Sequence, residues 1–96
     1  AMAYPFLKAK GATVGKSLCS DEDVALAKQL LAADKGGKIQ LPKDHVAAES
    51  LEGSPVPAPG VSIPAEMMGL DIGPLTIQSY TDHIKTAKTI FWNGPM

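Results

Sequence analysis

Pro55, Pro57, Pro59 and Pro64, with Gly53 and Gly60 among them, interrupt the chain between Ser50 and Pro64. A proline fixes φ and removes a backbone donor, so neither a helix nor an interior strand runs through such a stretch. The segment has linker composition. It reads instead as a surface excursion of one domain, over about residues 50–67, because ordered signals resume on both sides. Gly and Pro together make 17 of the 96 residues, above the usual share of about 12%. That excludes a long helical rod, and the lack of a three-residue period excludes collagen. The hydrophobic share of 45% is that of a globular chain. Ninety-six residues allow one domain with a modest core.

Helical and extended signals alternate around this excursion. Residues 2–9 read as a short helix with Met2, Phe6 and Ala9 on one face. Pro5 suits that helix only in its first turn, and Gly11 can stop it. Thr13-Val14 reads as a brief extended piece. Ser20-Asp21-Glu22-Asp23 has the form of a capping box, with three acids in the favourable first turn of a helix. Val24, Ala27 and Leu31 form its apolar face, widened by Leu26, Leu30 and Ala33, and Gly36-Gly37 closes it. Lys38–Leu41 is expected as a strand stopped by Pro42, and Val46–Ala48 as a second short extended run. Leu70–Gly73 reads as a strand end turning into a helix, with Pro74 at the first helical position. Ile77, Tyr80, Ile84 and Ala87 mark that helix as the strongest apolar stripe in the chain. Thr89–Trp92 is β-branched and aromatic and is expected as a strand, turned by Asn93-Gly94-Pro95. This alternation predicts an α/β fold with a parallel sheet.

Nine lysines, no arginine and ten acids leave a net charge of −1. Such a balance supplies no electrostatic drive toward nucleic acid or an anionic membrane. Any anion site must use lysine, backbone N–H groups or a helix N-terminus. Cys19 is the one cysteine, so no internal disulfide forms and a reducing compartment is expected. Standing alone beside an acidic run, it reads as a packing residue rather than a nucleophile. No stretch approaches the roughly 20 apolar residues of a membrane span, and no signal-peptide pattern opens the chain. The ends, apolar near Met2 and inside a turn signal at Met96, read as internal positions of a longer protein.

Two glycine-containing turns follow extended segments, Met68–Pro74 and Trp92–Pro95. In a parallel sheet such turns border the ligand crevice, although Asn-Gly and Gly-Pro are also ordinary turn chemistry. Gly11–Ser17 spaces its glycines one residue too close for a Walker phosphate loop, and Gly36-Gly37-Lys38 lacks the first glycine of that pattern. His45 and His83 have no second ligand at metal spacing. His83 falls on a polar helix face. Asp44 and His45 follow the strand-stopping Pro42, which leaves catalysis an open reading there, although no nucleophile is paired with them.

At these turns the sequence resembles the phosphoglycerate kinases, specifically the middle of their C-terminal, nucleotide-binding domain. The matching landmarks run in the family's order from Ala1 to Met96. They are Ala1–Tyr4 with Phe6–Ala9, Gly15–Leu18, Leu41-Pro42 with Asp44 and Val46-Ala47, Ile63-Pro64, Met68–Pro74 and Trp92–Met96. The resemblance departs at Pro5 for a threonine, at Lys43 for an apolar residue, and at Met67 for a tryptophan. It implies a partial C-terminal domain over residues 1–96, in a parallel-sheet, Rossmann-like three-layer fold. The implied activity moves a phosphoryl group between 1,3-bisphosphoglycerate and ADP, giving 3-phosphoglycerate and ATP, with Mg²⁺ carried on the nucleotide.

By motif match, Leu18, Gly69 and Leu70 would line the adenine slot. Leu51 would stand where the family often has an aromatic residue beside the nucleoside. Asn93, Gly94 and Pro95 would follow the ribose and phosphates. None of these transfers a proton. The phosphoglycerate substrate would bind an arginine-rich N-domain, and a phosphate-contacting lysine, a ribose-holding glutamate and a Gly-Gly-Asp-Thr loop are likewise not among these 96 residues. The resemblance implies a cytoplasmic, monomeric parent enzyme, with the 96 residues inactive alone. The alternative is a stand-alone α/β binding or interaction module built on the same segment, without catalysis.

Overall fold

The computed structural model describes residues 2–93. Three helices and three strands follow in the order α1 (Ala3–Ala9), α2 (Asp21–Ala33), β1 (His45–Ala48), β2 (Val56–Ala58), β3 (Met68–Ile72) and α3 (Pro74–Thr86). The chain is α/β, but its sheet is not the expected parallel one. The described strands form a three-stranded sheet in the order β2-β1-β3, with β1 antiparallel to both neighbours. Among the described residues, parallel pairing is confined to an isolated bridge between Val14 and Ile63.

The expected strands at 38–41 and 89–92 are not in any ladder. Strand propensity alone does not hold a backbone extended; a neighbouring strand does. Part of the proline-rich excursion does pair. Pro57 lies opposite Val46 in β2, an edge strand, where a missing N–H is tolerated.

The helix starts follow local chemistry. Pro5 falls in the first turn of α1, where its missing donor has no intrahelical partner to lose. The face that α1 buries is Tyr4 and Leu7, while Met2 is exposed, which corrects the expected Met2, Phe6 and Ala9 face. Ser20 Oγ accepts the Asp23 N–H at 3.1 Å and starts α2 as the capping box predicts. The end of α2 is built by Asp34, before the glycines. Its carboxylate accepts Lys38 N–H at 2.8 Å and Ile39 N–H at 2.9 Å, which hold its pKa below the usual range.

The core is small. Tyr4, Leu7, Val14, Ala47, Ala58 and Ile63 are buried together, with Ala12, Cys19, Leu41 and Met67 packed on them. Cys19 is thus the packing residue expected of it. Several larger apolar side chains lie outside, including Leu26, Leu30, Ile77, Ile84, Ile90 and Phe91. The stripe of α3 therefore faces outward, and helical periodicity identified the element without identifying what covers it.

Helix α3 is fastened to the body largely by polar contacts. Thr76 is fully buried, and its Oγ1 donates to Asp44 Oδ1 at 2.6 Å. The Asp44 carboxylate also accepts the N–H of Thr76 at 2.9 Å and of Leu75 at 3.0 Å. Thr76 Oγ1 in turn accepts Lys43 N–H at 2.9 Å and Asp44 N–H at 3.1 Å. Asp44 is thus the cap of α3, supplied from a distant loop. Farther along the helix, Tyr80 Oη donates to Gln40 O at 3.3 Å.

Burial alone would raise the Asp44 carboxyl, but the hydrogen bonds from Thr76 and Leu75 outweigh it and hold its pKa low. His45, beside it, is buried with Nε2 unpartnered and its ring near Tyr4. Burial lowers its pKa, and the Val61 backbone and the Asp44 charge only partly oppose that.

Two expectations follow. In urea unfolding, Asp44→Ala should cost about 2–4 kcal/mol, because it leaves buried N–H groups and the Thr76 hydroxyl unanswered. A loss under about 0.5 kcal/mol would contradict the capping role. Acid should act in two stages. The unfolded chain protonates His45 near pH 6.5 while the folded chain resists, so stability starts to fall as pH drops below that value. The Asp44 contribution is present above the ordinary carboxylate pKa near 4 and is lost as pH falls through its lower folded value. Melting temperature against pH should lose the first stage alone in His45→Asn, and an unchanged profile there would contradict the assignment.

Candidate functional site

The landmark from Met68 to Pro74 is built largely by internal packing. A Cβ on Gly69 would run into the Tyr4 hydroxyl and, at 2.8 Å, into Ile63 Cδ1. A Cβ on Gly73 would run into the Asp44 carboxylate. Gly73 is the N-cap of α3 and Pro74 its first residue. Asp71 Oδ1 accepts the N–H of Ile72 at 2.7 Å. Both glycines are therefore required whether or not a ligand approaches, because side chains from α1 and from the 43–44 turn occupy the space.

Leu70 is placed differently. In the β1–β3 register Val46 faces Asp71 and Ala47 faces Gly69, so Leu70 is skipped. A bulge of this kind bends its strand and re-aims a side chain, and bulges are common beside active sites.

Leu18, Leu51, Gly69 and Leu70 gather toward one end of the sheet. Ala48 pairs with Met68 there, and the turn carrying Leu51 leaves β1 at that end, closed by Gly53 N–H donating to Ser50 O at 3.1 Å. Leu18 adjoins Ser17, whose Oγ accepts Gly69 N–H at 2.9 Å. Leu18 and Leu51 are 82% and 78% exposed, which marks them as surface groups with apolar area to cover. Asn93 stands apart, toward the end of the sheet where His45 faces Ile72. Gly94 and Pro95 lie outside the described residues.

Two grooves reach Asn93 and Leu18, but neither is lined by Leu51. One, of about 370 Å³, is lined by Tyr4, Leu41, His45, Asp71, Tyr80 and Asn93 among others. The second, of about 690 Å³, is lined by Leu18, Cys19, Ser20, Leu26 and Leu30 together with Pro5. Met2 and Phe6 line both, so the grooves adjoin over the N-terminal part of α1. Gly69 and Leu70 are not among the groove walls; β3 contributes Asp71 and Ile72 to the first groove.

The other candidates are accounted for structurally. Gly15-Lys16-Ser17 forms a turn with Gly15 at φ +57°, pressed against the carbonyls of Pro64 and Met67, which leaves no phosphate cradle there. Asp44 is consumed by α3, so it and His45 form no catalytic pair. His83 is exposed, with Nδ1 2.8 Å from Ser79 O. Among the described residues, no group of three or more His, Cys, Asp or Glu side chains is placed to hold a metal ion, and no helix is long and apolar enough to cross a membrane.

Sequence reasoning missed Ser17 and Thr76. Both are small hydroxyl residues whose partners lie 52 and 32 positions away, and no local pattern marks such bonds.

Comparison with known proteins gives these placements a context. The family model described as phosphoglycerate kinase matches residues 1–96. The chain is 48% identical over 99 residues to a phosphoglycerate kinase of Clostridium novyi (strain NT), covering 99% of this chain and 25% of that protein. It is 52% identical over 96 residues to the enzyme so named from Lactobacillus gasseri, covering 99% of this chain and 24% of that protein. The solved structure of phosphoglycerate kinase from Coxiella burnetii superposes with a TM-score of 0.86 at 35% identity, over 98% of this chain and 25% of that one. The chain spans about a quarter of the length of these relatives. With every residue covered by the family model and a matching backbone, the chain belongs to the phosphoglycerate kinase family.

Proposed function

We propose that this chain supplies part of the nucleotide-binding face of a phosphoglycerate kinase. The parent protein would transfer a phosphoryl group between 1,3-bisphosphoglycerate and ADP, giving 3-phosphoglycerate and ATP. The observation that carries this reading is the family match across all 96 residues. The adjoining grooves over α1 support it, since they bring Leu18 and Asn93 onto the walls of one connected surface.

In the proposed forward step, a β-phosphate oxygen of ADP attacks the phosphorus of the acyl phosphate. The new P–O bond forms as the bond to the carboxylate oxygen breaks, and 3-phosphoglycerate leaves as a carboxylate. No proton need move at the reacting centre, so catalysis rests on positioning and on neutralising charge. Magnesium would arrive with the nucleotide substrate and would supply neutralisation of charge on its phosphates.

The proposed roles here are binding and orientation. Leu18 and Leu70, with Leu51 nearby, offer apolar area against the flat faces of the base. Gly69 would act from beneath, its lack of a side chain letting β3 pack closely on Tyr4 and Ile63 behind Leu70. Asn93 offers a donor and an acceptor toward ribose or phosphate, with Gly94 and Pro95 continuing that turn. The nine lysines can contribute charge, but arginine forks for a phosphoglycerate would have to come from outside these residues. We also propose that 38–41 and 89–92 become strands of a parallel, Rossmann-like three-layer sheet once neighbouring segments pair with them. The outward apolar faces of α2 and α3 would be covered in the same assembly, in a cytoplasmic, monomeric enzyme.

A coupled assay tests the proposal. The full-length protein carrying this segment should turn over 3-phosphoglycerate and MgATP, and the 96-residue chain alone should show no turnover above background. Turnover by the isolated chain would overturn the division of labour proposed here. A full-length protein with no such activity would overturn the function itself.

A further inference from the structure

The turn at 13–17 is fastened along the stretch 62–69 by a row of hydrogen bonds. Ile63 N–H donates to Thr13 O at 2.8 Å, and Lys16 N–H donates to Met67 O at 2.8 Å. Between them, Gly15 packs directly on the carbonyls of Pro64 and Met67, a contact that any side chain would prevent. The row ends at Ser17, whose Oγ accepts the N–H of Gly69 at 2.9 Å. Ser17 is buried, whereas Leu18 beside it is exposed, so the chain turns one side chain inward and the next outward.

The far partner is equally constrained. β3 is an edge of the described sheet, and its Gly69 N–H is answered by a side chain rather than by another strand. Tyr4 and Ile63 close the space over the Gly69 Cα. Immediately after Gly69 comes Leu70, the residue skipped in the bulge. One hydrogen bond, Ser17 Oγ to Gly69 N–H, therefore ties the residue before Leu18 to the residue before Leu70.

We infer that Ser17 is a positioning residue for the nucleotide base, setting the separation of Leu18 and Leu70 without touching the ligand. The inference rests on the proposed function above, since it takes the base to lie between those two side chains. Removing the hydroxyl leaves the Gly69 N–H without its acceptor and lets the Gly15–Leu18 turn drift from β3. Apolar contacts with a flat base weaken steeply with a small widening of the gap. The second substrate and the transferred phosphoryl group would not sense the change.

The test is steady-state kinetics on the full-length protein with both substrates varied. Ser17→Ala should raise KM for the magnesium nucleotide about fivefold, a loss the size of one neutral hydrogen bond. It should leave KM for 3-phosphoglycerate and kcat within about twofold. Ser17→Thr keeps the acceptor and should restore the nucleotide KM. Ser17→Cys, similar in size but a weaker acceptor, should raise it, and carries the test should the alanine variant not fold. An unchanged nucleotide KM in the alanine or cysteine variant, equal rises for both substrates, or failure of threonine to restore would overturn the inference while leaving the enzyme assignment intact. Absence of wild-type turnover would overturn both.

Discussion

The Asp44 carboxylate over the first turn of α3 is the interaction on which the rest of the arrangement leans. It reaches Thr76 Oγ1 and the N–H groups of Leu75 and Thr76 at once, while its own backbone bonds to Thr76 Oγ1 and Gly73. That knot joins the 43–44 turn, the end of β3 and the start of α3 at one point. A helix with an outward apolar stripe and little buried surface needs such an anchor, because hydrophobic burial is not there to hold it. The same knot explains the glycine at 73, whose missing side chain makes room for the carboxylate.

A second polar fastening, from Thr13 to Ser17, does for the other end of β3 what Asp44 does for its exit. Between the two lie the bulge and Leu70. The segment that marks the family most strongly in sequence is therefore clamped at both ends by partners distant in the chain. Its glycines answer to Tyr4, Ile63 and Asp44 before they answer to any ligand. The backbone on either side of Leu70 is thereby held from both ends.

How much of this was legible in the sequence varied with the range of the interaction. The Ser20 cap of α2 and Pro74 at the start of α3 were legible, because each rests on residues within one helical turn. The described sheet is antiparallel, whereas the alternation of elements pointed to a parallel one. β-Branched and aromatic residues at 38–41 and 89–92 looked like strands, yet pairing is a property of neighbours, and the described ladder instead uses Val46, Pro57 and Asp71. Proline density hid β2, which is tolerated at an edge. As bare residues Leu18, Leu51 and Leu70 are exposed or half-buried leucines without a distinguishing pattern, and only the resemblance to the family singles them out. Ser17 and Thr76 were illegible because their roles are defined by partners more than thirty residues away.

The proposed nucleotide lies across α1 with its base against Leu18 and Leu70. Methyl and amide chemical-shift mapping of the full-length protein, titrated with MgADP, tests it most directly. Saturable shifts are expected at the methyls of Leu18, Leu51 and Leu70 and at the Asn93 side-chain amide, with the buried Leu7 and Ile63 methyls moving far less. Saturable shifts confined to the outer face of α3, at Ile77 and Ile84, with Leu18 and Leu70 unmoved, would contradict it.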